Sequence, residues 1–127
     1  MMQVVTDLRL VEVVHVDPGQ LETLYTDLGP RNAEEVVCRA MEELALRLNQ
    51  CERQYRRGAI SDLRKSARSL IAISEQIGMG RVARVARDVI DTIDRDDAVA
   101  LAACLSRLIR TGEGSLTAVW DLQDVTL

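Results

Sequence analysis

The chain has 127 residues, 47% of them hydrophobic and 28% charged, with a formal net charge of −4. That length suits one domain with its own hydrophobic core, and that balance excludes a disordered tail. The longest uninterrupted apolar run, Ala98 to Leu105, is far too short to span a bilayer; with no basic segment leading into an apolar stretch at the start, a cytoplasmic location is expected.

In chain order, residues 1–16 read as an N-terminal arm distinct from the rest. Leu8, Leu10, Val14 and Val16 alternate with Arg9, Val11, Val13 and His15, and β-branched residues dominate, so a strand-like or extended arm is expected, with a helical turn as the alternative. Such an arm needs a partner edge. A second copy of the arm, giving a homodimer, and packing across the rest of the chain both satisfy that need.

Residues 17–127 form the expected domain. Asp17-Pro18-Gly19-Gln20 predicts a helix start, with Asp as N-cap, Pro at the first helical position and Gln at the third. This short capping helix stops by Gly29-Pro30. Asn32 is the expected cap of the next helix, with Glu34 and Glu35 in its first turn. Val37, Met41, Leu44, Leu48, Cys51 and Tyr55 then follow at four- and three-residue spacing, a single apolar seam. Arg56, Arg57 and Gly58 end it.

A third helix is expected over 60–77, with Ile60, Leu63, Ala67, Leu70, Ser74 and Ile77 on one stripe and Gly78-Met79-Gly80 breaking it. A fourth, over 81–93, turns Val82, Val85, Ala86, Val89 and Ile93 inward and Arg81, Arg84 and Arg87 mostly outward. The fifth begins near Asp96 or Asp97 and buries Ala98, Leu101, Ala102, Leu105, Leu108 and Ile109. Gly112 and Gly114 each cost a helix about 1 kcal/mol relative to Ala. Leu116, Val119 and Trp120 nevertheless resume in phase, so the helix is expected to continue to about Gln123. The fold class expected is all-α: an antiparallel up-and-down four-helix bundle with a short N-terminal capping helix.

The inventory of catalytic motifs is thin. There is no phosphate-cradling glycine loop and no nucleophile elbow, and the single histidine, His15, is poorly placed to serve as a base from the arm. One histidine also excludes a His-based metal cluster. Cys38, Cys51 and Cys104 are an odd number without C-x-x-C spacing and read as reduced, largely buried thiols. Glu34-Glu35 and Glu42-Glu43 fall off the apolar seam and read as a solvated face rather than a metal site. No enzyme activity, cofactor or metal is expected.

The third helix carries the one informative pattern. Ala67-Arg68-Ser69-Leu70-Ile71-Ala72-Ile73-Ser74-Glu75-Gln76-Ile77-Gly78 resembles the phosphoacceptor helix of histidine-phosphotransfer (HPt) domains, whose motif runs Ala-His-x-Leu-Lys-Gly with a Gly ten residues after the His. Ala67, Leu70 and Gly78 hold their places in it. The preceding helix, its Arg-Arg-Gly-Ala turn and the following helix suit the family too, over about residues 18–123. The departures decide the chemistry that the resemblance implies. Arg68 stands where the phosphorylated His would be, Ile71 where the Lys would be, and Ala72 where the Gly would be. Arginine is protonated at every physiological pH and is no nucleophile, so phosphotransfer through this helix is expected to be lost.

What the resemblance leaves is a binding face: Arg64, Lys65, Arg68, Ile71, Ala72 and Glu75, with Arg68 at the degenerate phosphoacceptor position. The implied partner is a response-regulator receiver or a histidine kinase of two-component phosphorelay signalling, as in bacteria. An arginine fork suits the acidic pocket of a receiver. The alternative is an adaptor bundle that uses the basic stretch from Arg53 to Arg87, nine basic residues against Asp62 and Glu75, to bind nucleic acid. The acidic total, the single lysine and the scarcity of aromatics count against it.

Overall fold

A computed structural model describes residues 17–126 of the chain. Within them the fold is all-helical, with α1 (Pro18–Leu28), α2 (Pro30–Arg56), α3 (Ile60–Gln76), α4 (Gly80–Asp94) and α5 (Ala98–Thr126) in chain order. The strand-like arm expected of residues 1–16, and His15 with it, lie outside the described residues. Successive helices pack on one another, α1 on α2, α2 on α3, α3 on α4 and α4 on α5, and α5 returns to α2. The apolar stripes meet in one core that includes Met41, Leu44, Leu63, Leu70, Val82, Val89 and Leu108. Each fully buried side chain of this size contributes about 1.5–3 kcal/mol.

The start of α1 is tied to a distant element rather than to itself. Asp17 caps the helix as expected, its Oδ1 accepting from the Gly19 and Gln20 amides at 2.9 and 3.3 Å. Gln20, however, does not reach back to close a capping box. Its Nε2 donates to the Glu75 carbonyl, and the Asp17 amide donates to the Gly78 carbonyl at 2.8 Å. Together they tie the start of α1 to the end of α3 and to the turn that follows it.

The junction between α1 and α2 corrects the expected cap. Gly29 (φ +82°) is the whole connection, and Pro30, with its φ preset for a helix, starts α2 three residues earlier than a cap at Asn32 would. Asn32 therefore lies inside the first turn, where its Nδ2 donates to the Leu28 carbonyl at 3.1 Å and caps the end of α1. Glu34 and Glu35 accordingly fall beyond the first turn of α2.

Three connections close the same way. Gly58, Gly78 and Asp96 each adopt a positive φ after a helix end, and the next amide bonds back five residues: Ala59 to Gln54, Met79 to Ser74, Asp97 to Thr92. Asp97 then caps α5, its Oδ1 accepting from the Ala100 amide at 3.0 Å. Of the residues expected inward on α5, Leu101, Leu105 and Leu108 are buried and Ile109 half-buried, whereas Ala98 and Ala102 are exposed. They lie on a side of the helix that no other described helix covers.

The three cysteines are free, and their environments differ. Cys51 is sealed in the core, and burial pushes its thiol pKa up to about 12. Cys38 and Cys104 are half-buried. In the native chain at pH 8, two thiols should react with a disulfide reagent and the third only on unfolding. Equal reaction of all three would show that Cys51 is not sealed.

Candidate functional site on the outward side of α3

The six residues singled out on the third helix divide into three groups once α4 packs beside it. Arg64 and Glu75 are spoken for by α4. The Arg64 guanidinium grips Asp94 with two parallel bonds, Nε to Oδ1 at 2.8 Å and Nη2 to Oδ2 at 3.0 Å. Near the other end of α3, Glu75 accepts from the Arg87 guanidinium. The first cross-link joins an early residue of α3 to the last residue of α4, and the second joins a late residue of α3 to the middle of α4. Ile71 turns partly inward and packs against the core. It belongs to the packing of α3 rather than to its exposed side.

Lys65, Arg68 and Ala72 remain, all exposed. They lie at three- and four-residue spacing along one outward stripe, opposite the buried stripe of Leu63, Ala67, Leu70 and Ser74. Among the described residues, Arg68 makes no side-chain hydrogen bond or ion pair. Its charge acts at a distance on Asp94. Hydrogen bonding from Arg64 holds the Asp94 carboxyl below the usual carboxylate range; burial opposes it, and the charges of Arg64 and then Arg68 add lesser contributions in the same direction as the hydrogen bonds. The reciprocal effect raises Arg64, first through the same hydrogen bonds.

The pH sign follows from the depressed group. An Asp with a folded pKa below its unfolded value of about 3.9 stabilises the fold above that value, and the contribution disappears as pH falls through the folded pKa. Both groups face solvent, so the effect is small. Titration of the Asp94 carboxyl by NMR should give a pKa below that of an unpaired Asp, returning upward in Arg64→Ala. An Asp94 pKa unchanged by that substitution would show that the clasp does not form in solution.

The packing also reapportions the basic stretch from Arg53 to Arg87. Arg56, Arg64 and Arg87 are each paired, with Glu52, Asp94 and Glu75. That leaves a patch less basic than the residue count implies. Glu52 and Arg56 are a local pair one turn apart, but the other two pairings escape sequence reading because they join residues 30 and 12 positions apart. One signal was available: the acidic stretch from Asp88 to Asp97 directly follows the basic helices and, in an antiparallel pair, must lie beside the start of α3.

Another polar contact missed by the sequence supports the site from behind. Ser66 is buried, and its Oγ donates to the Gln54 Oε1 at 2.8 Å, joining α3 to α2 two residues before Arg68. The exposed stripe is thus carried on a helix pinned on both flanks. Such an arrangement holds the Arg68 guanidinium on a helix tied to both of its neighbours. Among the described residues, no three His, Cys, Asp or Glu side chains gather where a metal could sit, and no helix is long and apolar enough to cross a membrane.

No family model matches this chain, and neither does any curated protein or solved structure.

Proposed function

We propose that the chain is an HPt-like domain that carries no phosphate and works by binding a protein partner through the outward side of α3. On this reading α2 to α5 are the antiparallel four-helix bundle of that family and α1 its cap, and the partner is a receiver or a histidine kinase of a phosphorelay. The observation that carries the proposal is Arg68. It occupies the register of the phosphoacceptor in the motif resemblance, stands exposed at mid-helix with no partner of its own among the described residues, and has the small Ala72 one turn on. A protonated guanidinium there offers a planar two-pronged donor to a carboxylate pocket and no electron pair to a phosphoryl group.

The alternative of nucleic-acid binding loses ground from the pairing of Arg56, Arg64 and Arg87, which removes a third of its nine basic residues from free display.

Incubation with a set of phosphorylated receivers should transfer no stable label to this chain, while a receiver or kinase is retained in a pull-down and retention falls for Arg68→Ala. Any stable phosphoryl label would overturn the non-carrier reading, and retention unchanged by Arg68→Ala would move the interface elsewhere.

A further inference from the structure

The opposite side of the molecule carries a second surface, made by α2 and α5. Two hollows run along their seam, of about 350 and 170 Å³, and Glu52 and Ile109 line both, so they form one continuous groove. Its floor is apolar: Tyr55, Leu105 and Ile109 in the larger part, Leu48 and Leu116 in the smaller. Ala102 and Ala45, on the lips, are exposed. The two linings also set direction: 52–56 of α2 lie beside 102–110 of α5, and 45–52 beside 109–116, so the helices are antiparallel.

Charge along the groove is polarised. Glu42 and Arg56 stand seven residues, about 10 Å, to either side of Asn49 on the same helical stripe of α2. On α5, Arg110 and Glu113 lie near the level of Asn49, with Arg110 toward the Arg56 end and Glu113 toward the Glu42 end. All four are exposed or on the rim; Arg56 also bonds Glu52 one turn back on its own helix and would share its charge, whereas neither Arg110 nor Glu113 has an ion-pair partner among the described residues. A two-fold axis through the groove beside Asn49 exchanges its ends. It brings Glu113 of one copy to Arg110 of the other and Glu42 to Arg56, twice over, above the apolar floor. A surface that is its own electrostatic complement under a two-fold axis is what an isologous dimer requires.

We infer that the α2–α5 groove binds a second copy of this chain in antiparallel fashion, leaving the Arg68 side of α3 open on both protomers. The inference does not rest on the phosphorelay reading, since it uses other helices and other residues.

Sedimentation equilibrium of the full chain, run from low to high micromolar concentration, tests it. The expected result is a monomer–dimer equilibrium that weakens with salt, because the paired charges are exposed. Arg110→Glu and Glu113→Arg should each raise the dimer Kd by about tenfold or more, since each sets like charges opposite one another at two symmetry-related places. The exchange Arg110→Glu with Glu113→Arg should restore it to within about threefold, because both pairs reform with signs swapped. Far-ultraviolet circular dichroism checks that all variants keep their helices. A chain monomeric throughout, including one whose own N-terminal arm fills the groove, would overturn the inference. So would a dimer indifferent to the single reversals, or one that the double exchange fails to rescue.

Discussion

Gly112→Ala should destabilise the protein, whereas Gly114→Ala, two residues along the same helix, should stabilise it. Intrinsic propensity treats the two alike, each gaining about 1 kcal/mol on replacement of a mid-helix glycine by alanine. Packing separates them. A Cβ on Gly114 meets nothing within 4 Å, but a Cβ on Gly112 comes to 2.5 and 2.9 Å from the two Cδ atoms of Leu48, and to 3.2 Å from its Cγ. Leu48 is only 4% exposed and has little room to withdraw. Forcing a methyl group into a filled site costs about 1–3 kcal/mol, enough to cancel the propensity gain and leave a net loss of about 1 kcal/mol. Gly112→Val hangs two methyl groups on that Cβ and stiffens χ1, and should lose about 3 kcal/mol, a large part of a typical domain's stability. Urea denaturation midpoints give the comparison directly. In Leu48→Ala, the Gly112→Ala penalty should vanish, so the two changes are strongly non-additive. Equal gains at Gly112 and Gly114 would mean that α5 does not approach α2 here.

That pair of glycines also shows what the sequence makes legible and what it does not. The phase of Leu105, Ile109, Leu116 and Val119 carries the helix through both glycines, and the structure places α5 over that whole span. What phase cannot say is which glycine is a tolerated weakness and which is a point of contact, since that depends on Leu48, 64 positions away. The same division runs through the rest of the chain. Helix existence and buried stripes follow from local periodicity, as Leu63, Ala67, Leu70 and Ser74 do on α3. Caps and face assignments at element ends follow only partly, because they depend on a neighbour. Gly29, just ahead of Pro30, takes the place of Asn32 as the cap of α2, and Ala98 and Ala102 lie on a side of α5 that no other described helix covers.

The α3 face was legible to the same degree. The stripe of Lys65, Arg68 and Ala72 is exposed, as the spacing implies. Three members of the six-residue set changed meaning through α4 and the core: Arg64 and Glu75 became cross-links, and Ile71 became packing. Periodicity gives the angle of a side chain about its own helix axis and says nothing of a charge on the next helix. The face is therefore narrower than the sequence suggests, with its chemistry concentrated at one residue.

Arg68→Glu is the sharpest consequence. Fold stability should stay within about 0.5 kcal/mol of the parent, because Arg68 is exposed and none of its contacts would be lost. Binding to an acidic partner pocket should fall by about a hundredfold or more, since the change replaces a charge-assisted fork with a carboxylate facing carboxylates. Arg68→Lys separates geometry from charge. It keeps the cation and loses the planar two-pronged donor, so it should weaken binding by only about three- to tenfold. Arg64→Ala provides the opposite pattern, since its main role is the Asp94 clasp: the Asp94 pKa should move while affinity changes little. Calorimetric titration against a receiver or kinase domain recovered in the pull-down, with thermal unfolding of each variant alongside, distinguishes the three. A loss of affinity as large for Arg64→Ala as for Arg68→Glu would mean that the partner reads the general charge of α3. If Arg68→Glu binds as the parent does, the outward side of α3 is not the interface, and the resemblance in register would carry no functional weight.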